Sequence, residues 1–318
     1  MCIAVTGGAG FIGGHLVRRL AAIRAGRILV LDNLQRACME DPRVGQDNVS
    51  LVQVDIRNRE ALSGAFEGCQ VVFHLAAQSN VMGAVSNSGY AFDTNVAGTF
   101  NVLEAAKSAG VKRFVFTSSR EVYGEPDRLP VGESSPLRPK NAYGASKAAG
   151  EVYCRLAAVE GMEAVILRLA NVYGPGDRDR VVPLFLEAAR AGSALTIYGG
   201  DQVLDLVWID IVVEAMIKAA FGDWLKEPVN IGSGVGVRLP DLARRITELT
   251  RSAAPIRIVP KRKQEVERFV ADVTRGRELL GIQPPEDPML HLPLLMSAAR
   301  YPVQHTQVHH DQYSKVAR

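Results

Sequence analysis

Residues 6–14 read TGGAGFIGG and follow directly on the apolar run CIAVT at 2–6. No other stretch restricts the fold as tightly. Glycines at 7, 8, 10 and 13 satisfy both GxxGxxG and GxGxxG. Between a strand and a helix, that spacing serves a known mechanism. Gly7 and Gly8 permit a tight turn, Gly10 lets the backbone approach a pyrophosphate, and Gly13 lets the helix pack on the sheet. The helix N-terminus, entered at Phe11 and Ile12, offers unpaired N–H groups to phosphates.

Beyond the loop, short apolar runs alternate with helical patterns. Strands are predicted over 2–6, 28–32, 49–55, 71–76, 113–119 and 164–171, and helices over 11–24, 58–67, 88–109 and 143–160. Continuous apolar strands separated by helices require a parallel sheet covered on both faces, the α/β doubly wound (Rossmann) architecture. The rhythm changes after residue 172. A helix in VPLFLEAARAG, a strand in ALTIYG, a strand running into a helix in VLDLVWIDIVVEAMIKAAFG, a strand in PVNIGSG and a helix starting at Pro240-Asp241 follow. They predict a smaller C-terminal α/β substrate lobe over 173–300, interleaved with the last sheet strands. Residues 1–172 form the dinucleotide-binding domain, and 301–318 read as a polar, histidine-rich tail.

Asp32, with Asn33 beside it, ends the second strand nineteen residues after Gly13. A carboxylate there accepts ribose hydroxyls and repels a 2′-phosphate, which favours NAD over NADP. As the alternative, Asp32 is only a turn residue. Asp55-Ile56, at the end of the third strand, can cover the adenine.

The net charge of +3 is too small to indicate nucleic acid, and the basic run Lys261-Arg262-Lys263 lacks interleaved aromatics. The four cysteines, 2, 38, 69 and 154, are far apart and show no CxxC or pairing with histidine. This predicts reduced thiols of a cytoplasmic protein, no disulfide framework and no metal site. The chain begins directly with the first strand, with no signal-peptide pattern, and no apolar run approaches the roughly 18 residues of a membrane helix.

In NAYGASKAAGE, Tyr143 and Lys147 stand four apart on a predicted helix and share a face. A lysine ammonium and the positive nicotinamide ring would lower the phenol pKa, so that Tyr143 takes a proton from a sugar hydroxyl. Lys147 would also hold the nicotinamide ribose.

These motifs, with LDNL, HLAAQSNV, NVAGTFNVLEAA, SSREVYGE, LRLANVYGPG and VERFVADVTRGRELLG, resemble the extended short-chain dehydrogenase/reductase family over roughly residues 2–285. The similarity is to its NAD-dependent nucleotide-sugar epimerases and dehydratases. The resemblance implies that Leu75, Ala76, Ala77 and Gln78 line the cofactor cleft and that Asn95 supports it. Ser119, four residues before the tyrosine of VYG, would bond the sugar oxygen and relay its proton to Tyr143. Asn171 and Arg262 match residues that meet substrate phosphates, and Arg180 lies in the variable substrate loop. His74 reads as a packed strand residue. The resemblance further implies a homodimer through the helices near 88–109 and 143–160. Leu204-Asp205-Leu206 departs from the family's Arg-Asp-Phe or Arg-Asp-Tyr, so the diphosphate lacks that arginine.

Family members open by oxidising C4 of the sugar. A 4-epimerase needs only Ser119, Tyr143, Lys147 and NAD. A 4,6-dehydratase adds an Asp-Glu pair, and here that pair is Arg120-Glu121. Glu121 matches the base, but a guanidinium does not surrender its proton near neutral pH and cannot be the acid. The expected function is a UDP-glucose/UDP-galactose-type 4-epimerase. A decarboxylase of UDP-glucuronate is the alternative, with Arg120 attracting the C6 carboxylate. A non-catalytic NAD sensor would have little need of Tyr143 and Lys147. The alternative reading of Arg120 is a bland surface residue.

Overall fold

Side chains along β1 (Cys2–Thr6) alternate between two hydrophobic layers in the computed structural model, which describes residues 1–38, 41 and 46–297. Ile3 and Val5 join one cluster, and Cys2 and Ala4 join the other. A strand buried on both faces needs a cover on each. The chain supplies it with α1 (Phe11–Ala22) after β1, followed by β2 (Arg27–Asp32), β3 (Val49–Gln53) and β4 (Val71–His74). Next come α2 (Val81–Ser86), α3 (Ser88–Phe92), a π-helical turn over Asp93–Ala97, α4 (Gly98–Ser108), β5 (Arg113–Ser119), α5 (Ala142–Val159) and β6 (Glu163–Leu169). The rest comprises β7 (Asn171–Tyr173), α6 (Val181–Arg190), β8 (Leu195–Tyr198), β9 (Val203–Trp208), α7 (Ile209–Phe221), β10 (Val229–Ile231), β11 (Gly236–Arg238), α8 (Leu239–Thr250), β12 (Ile256–Val259), α9 (Thr274–Leu280) and α10 (Leu294–Ser297).

The main sheet has seven strands in the order β10-β6-β5-β4-β1-β2-β3, and every pairing in it is parallel. Leu16, Val17 and Leu20 of α1 and Val212, Ala215 and Met216 of α7 cover one face. Val102, Leu103 and Ala106 of α4 and Cys154 and Ala157 of α5 cover the other. This is the doubly wound parallel sheet. Its strand order reverses between β1 and β4, and the crevice beyond their C-terminal ends is where ligands bind in such sheets. Two small sheets follow, β11-β9-β7 and β12-β8. The second half thus returns one strand, β10, to the main sheet.

Two helix expectations fail for local reasons. Residues 58–67 form turns rather than a helix, because Gly64 adopts φ +71° and breaks the run. Residues 88–109 are not one helix. Asn80 and Asn87 each accept a backbone N–H three residues on, which starts the short helices α2 and α3, and a π-helical turn then interrupts the path to α4. The cysteines also depart from their spacing in the sequence. Parallel pairing brings Cys2 Sγ and Cys69 Sγ to 2.9 Å, both as free thiols, with burial pushing Cys69 up to about 12. No helix among the described residues is long and apolar enough to cross a membrane. The histidine-rich tail lies outside the described residues.

Candidate active site

The crevice floor is the glycine turn. Gly7 has φ +72°, and a Cβ there would stand 2.7 Å from the Ala76 nitrogen. A Cβ on Gly13 would stand 2.2 Å from the Gly7 carbonyl oxygen, so the helix–strand approach excludes any side chain. A Cβ on Gly10 would meet only the Gly7 oxygen, at 3.3 Å, and the space above it is open. Buried Phe11 and half-buried Ile12 anchor α1 on the core. Asp32 is 9% exposed and accepts the backbone N–H of Ala9 at 3.0 Å and of Leu34 at 2.8 Å. Burial pushes its carboxyl up from the ordinary value. Each oxygen keeps a lone pair for a ribose hydroxyl. An open glycine cradle at a helix N-terminus with a carboxylate at the end of β2 fits a dinucleotide.

The next strand end is more committed than its sequence suggests. Arg57 grips Asp55 through Nε and Nη2, at 2.9 and 2.8 Å, and holds its carboxyl well below the usual range. Asn33 also donates to Asp55, at 3.1 Å. Ile56 is buried against α4, where a Cβ on Gly98 would come within 2.8 Å of it. Leu75, Ala76, Ala77 and Gln78 form the half-buried turn after β4. Asn95 fixes that turn. Its side chain accepts from the Gln78 N–H at 2.7 Å and donates to the Gln78 carbonyl at 3.0 Å and to Ser146 Oγ at 2.9 Å. The π-helical turn aims Asn95 there, a use to which such turns are often put. His74 is fully buried, its two ring nitrogens 2.7 Å from Thr6 Oγ1 and 3.0 Å from Thr99 Oγ1. Burial and then Lys147 lower it to about 3, so it is a neutral packing residue.

Ser119 ends β5 and caps the 3-10 turn Arg120–Val122, accepting the Glu121 N–H at 3.2 Å. Its side chain is hydrogen-bonded to Tyr143, at the start of α5. Lys147, one helical turn on, is 3% exposed and donates to the Thr117 carbonyl at 2.8 Å. Burial lowers it to about 8. These three residues therefore meet at one place, but the electrostatics differ from expectation. Burial raises the Tyr143 phenol, and the charges pulling it back down belong to Arg180 and, more weakly, Arg120. The Lys147 ammonium faces the β5 backbone and the Phe116 ring, 4.9 Å from its centroid.

Arg180 stands just before the first turn of α6, beside this phenol, and pairs with Asp177 at 2.8 Å. Arg120 and Glu121 pair with each other at 2.9 Å, their side chains 11% and 5% exposed. The second Glu121 oxygen accepts from Asn141 Nδ2 at 2.7 Å. Asn171 is half-buried, its Oδ1 without a partner. Arg262 is engaged by Glu265 at 2.9 Å and stacks 3.5 Å over Tyr198. Leu204 is buried opposite Val237 of β11. Its neighbour Asp205 accepts from the backbone of Ser233, Gly234 and Ala271 and from the Ser233 hydroxyl, which makes it a structural cap.

Sequence reasoning missed the support beneath the tyrosine. Asn141 caps α5 through the Gly144 N–H at 2.8 Å while holding Glu121, and its position just before an apolar helix was the available signal. Glu151, a turn beyond Lys147, is fully buried in a bidentate pair with Arg168 at 2.8 and 2.7 Å and accepts from Ser118 at 2.6 Å. No linear pattern announces that pair.

A sequence model of the NAD-dependent epimerase/dehydratase family matches residues 3–232. A putative UDP-glucose 4-epimerase of Methanocaldococcus jannaschii is 35% identical over 90% of this chain and 94% of its own. A UDP-N-acetyl-alpha-D-glucosaminuronate decarboxylase of Bacillus cytotoxicus is 32% identical over 88% and 92%. The crystal structure of UDP-glucose 4-epimerase from Thermotoga maritima with UDP-glucose superposes with a TM-score of 0.86 at 34% identity, covering 92% of this chain and 97% of that one. With the cradle, the Asp32 strand end and the serine–tyrosine–lysine cluster in place, the chain belongs to the NAD-dependent epimerase/dehydratase family and is an enzyme that uses NAD.

Proposed function

We propose that the protein is a nucleotide-sugar 4-epimerase acting on a UDP-sugar through a transient 4-keto sugar. One observation carries the reading: the residue beside Glu121 is Arg120, whose guanidinium pairs with that carboxylate at 2.9 Å. Dehydration needs an acid beside that carboxylate for C6, and Arg120 is no acid. Epimerisation needs no such acid. Gly7, Gly10, Gly13 and Asp32 hold the dinucleotide, with the turn from Leu75 to Gln78 closing the crevice. When bound, NAD would supply hydride acceptance at C4 and the hydride's return. Ser119 bonds the C4 oxygen, and Tyr143 takes its proton and later gives it back. Arg180 keeps the phenolate affordable, and Lys147 orders the end of β5. Residues 1–172 carry the cofactor in this scheme and 173–300 the nucleotide-sugar, through Asn171, Arg180 and Arg262.

The test is incubation with UDP-glucose, UDP-glucuronate, UDP-N-acetylglucosamine and dTDP-glucose, followed by product mass. Unchanged mass with a new isomer is expected, and loss of water overturns the reading. Tyr143→Phe should lose about 10²–10⁴-fold in kcat. The second reading is decarboxylation, favoured by the guanidinium of Arg120 beside the site, and loss of carbon dioxide would establish it. We also propose a homodimer formed through α4 and α5, whose outer surface exposes Val152, Leu156 and Val159.

A further inference from the structure

Arg120 carries a buried donor nitrogen that no acceptor meets. Its Nη2 reaches Glu121 at 2.9 Å, its guanidinium lies 5.8 Å from the Phe269 ring centroid, and its side chain is 11% exposed. Its Nη1 is buried and has no acceptor. A buried charged donor without a partner is costly, and a bound group that accepts from it recovers that cost. The surrounding charge has the sign to take an anion. Glu121 and Asp177, the carboxylates nearest Arg120 and Arg180, are each already paired with one of these arginines, and Asp179, which also acts on Arg180, is paired with Arg36. Arg120 also lies near enough to Tyr143 for its charge to act on the phenol. Tyr143 addresses C4, and C6 is carried by the next ring carbon. Of the two substituents flanking C4, the C3 hydroxyl and the group at C6, only a C6 carboxylate offers the anion that a guanidinium donor selects.

The geometry points to a uronic-acid nucleotide as the substrate, with Arg120 Nη1 donating to its C6 carboxylate. This rests on the nucleotide-sugar reading above. A neutral C6 hydroxyl satisfies a guanidinium donor less well than a carboxylate does, since charge-assisted hydrogen bonds are about twice as strong as neutral ones. Phe269 bounds the guanidinium on one side and Glu121 fixes its tilt, so the fork is held ready for one more oxygen. Arg120 is then a specificity residue, distinct from the proton-transfer pair.

Calorimetric binding of UDP, UDP-glucose and UDP-glucuronate to the NAD-loaded protein tests this independently of turnover. The wild type should hold UDP-glucuronate at least about tenfold tighter than UDP-glucose. Arg120→Gln should erase that preference while UDP, which carries no carboxylate, keeps its affinity. Arg120→Gln leaves Glu121 unpaired, so the double variant Arg120→Gln/Glu121→Gln repeats the measurement without a stranded charge. Equal weakening of all three ligands would assign Arg120 to the diphosphate and overturn the proposal, as would a wild type that prefers UDP-glucose. Uronate preference with loss of carbon dioxide would overturn the epimerase reading and leave this one standing.

Discussion

Tyr143 shows how a catalytic side chain can be tuned by residues outside its own helix. Burial raises the phenol, so the base form grows as pH rises, and Arg180 is the cation that most opposes the shift. Removing that charge raises the phenol further. Arg180→Met should move the acidic limb of the kcat–pH profile to higher pH, whereas a purely structural loss would lower kcat equally at every pH. His74 offers a second test with the opposite ionisation. It is neutral in the fold, lowered to about 3 from an ordinary 6.5. Between those values the unfolded chain binds a proton that the native chain refuses, so native stability is full above 6.5 and falls as pH drops. The loss should reach about 2 kcal/mol by pH 5. In denaturant titrations His74→Gln should be less stable at pH 7.5 but should show a flatter slope between pH 6.5 and 5. An unchanged slope would mean that His74 is not the titrating group.

At the scale of elements, the site is a joint between the end of β5 and the start of α5. Gly144 makes that joint close: a Cβ there would stand 2.3 Å from the Glu121 carbonyl oxygen, a backbone atom that cannot swing away. Gly144→Ala should push the Tyr143 turn off the Ser119 turn and lower kcat at least about tenfold, since misplacement by about 1 Å can cost a hundredfold. A kcat within twofold of wild type would show that the joint yields. The elements themselves were readable wherever one signal dominated. β1, β2, β5 and β6 are continuous apolar runs, and the glycine turn and the Tyr143–Lys147 spacing are local. The rest depended on competition or on distance along the chain. Apolar Leu62 and Phe66 stand four apart like a helix face, yet Gly64 between them decides for turns. The Glu151–Arg168 pair, the Asn141 hold on Glu121 and the proximity of Arg180 to Tyr143 join residues from separate elements, so only the fold reveals them.

Over the whole molecule, α5 carries two tasks on opposite sides. At 3.6 residues per turn, Tyr143, Lys147, Gly150 and Cys154 share one face, and that face rests on the sheet. Val152, Leu156 and Val159 fall on the other, 59%, 50% and 85% exposed. Beside them Phe100 of α4 meets Tyr153 of α5 at 5.3 Å, and Lys107 ties the two helices through Glu160 at 2.8 Å. An apolar stripe on a rigid helix pair suits a two-fold contact with the same helices of a second copy. Stable interfaces bury about 800 Å² per partner, which two adjacent helices can supply. The double variant Leu156→Glu/Val159→Glu should therefore sediment as a monomer where the wild type sediments as a dimer. Both side chains point away from the crevice, so NAD binding by the separated subunits should persist. A wild type that is already monomeric at micromolar concentration, or a variant that stays dimeric, would remove α5 from the interface.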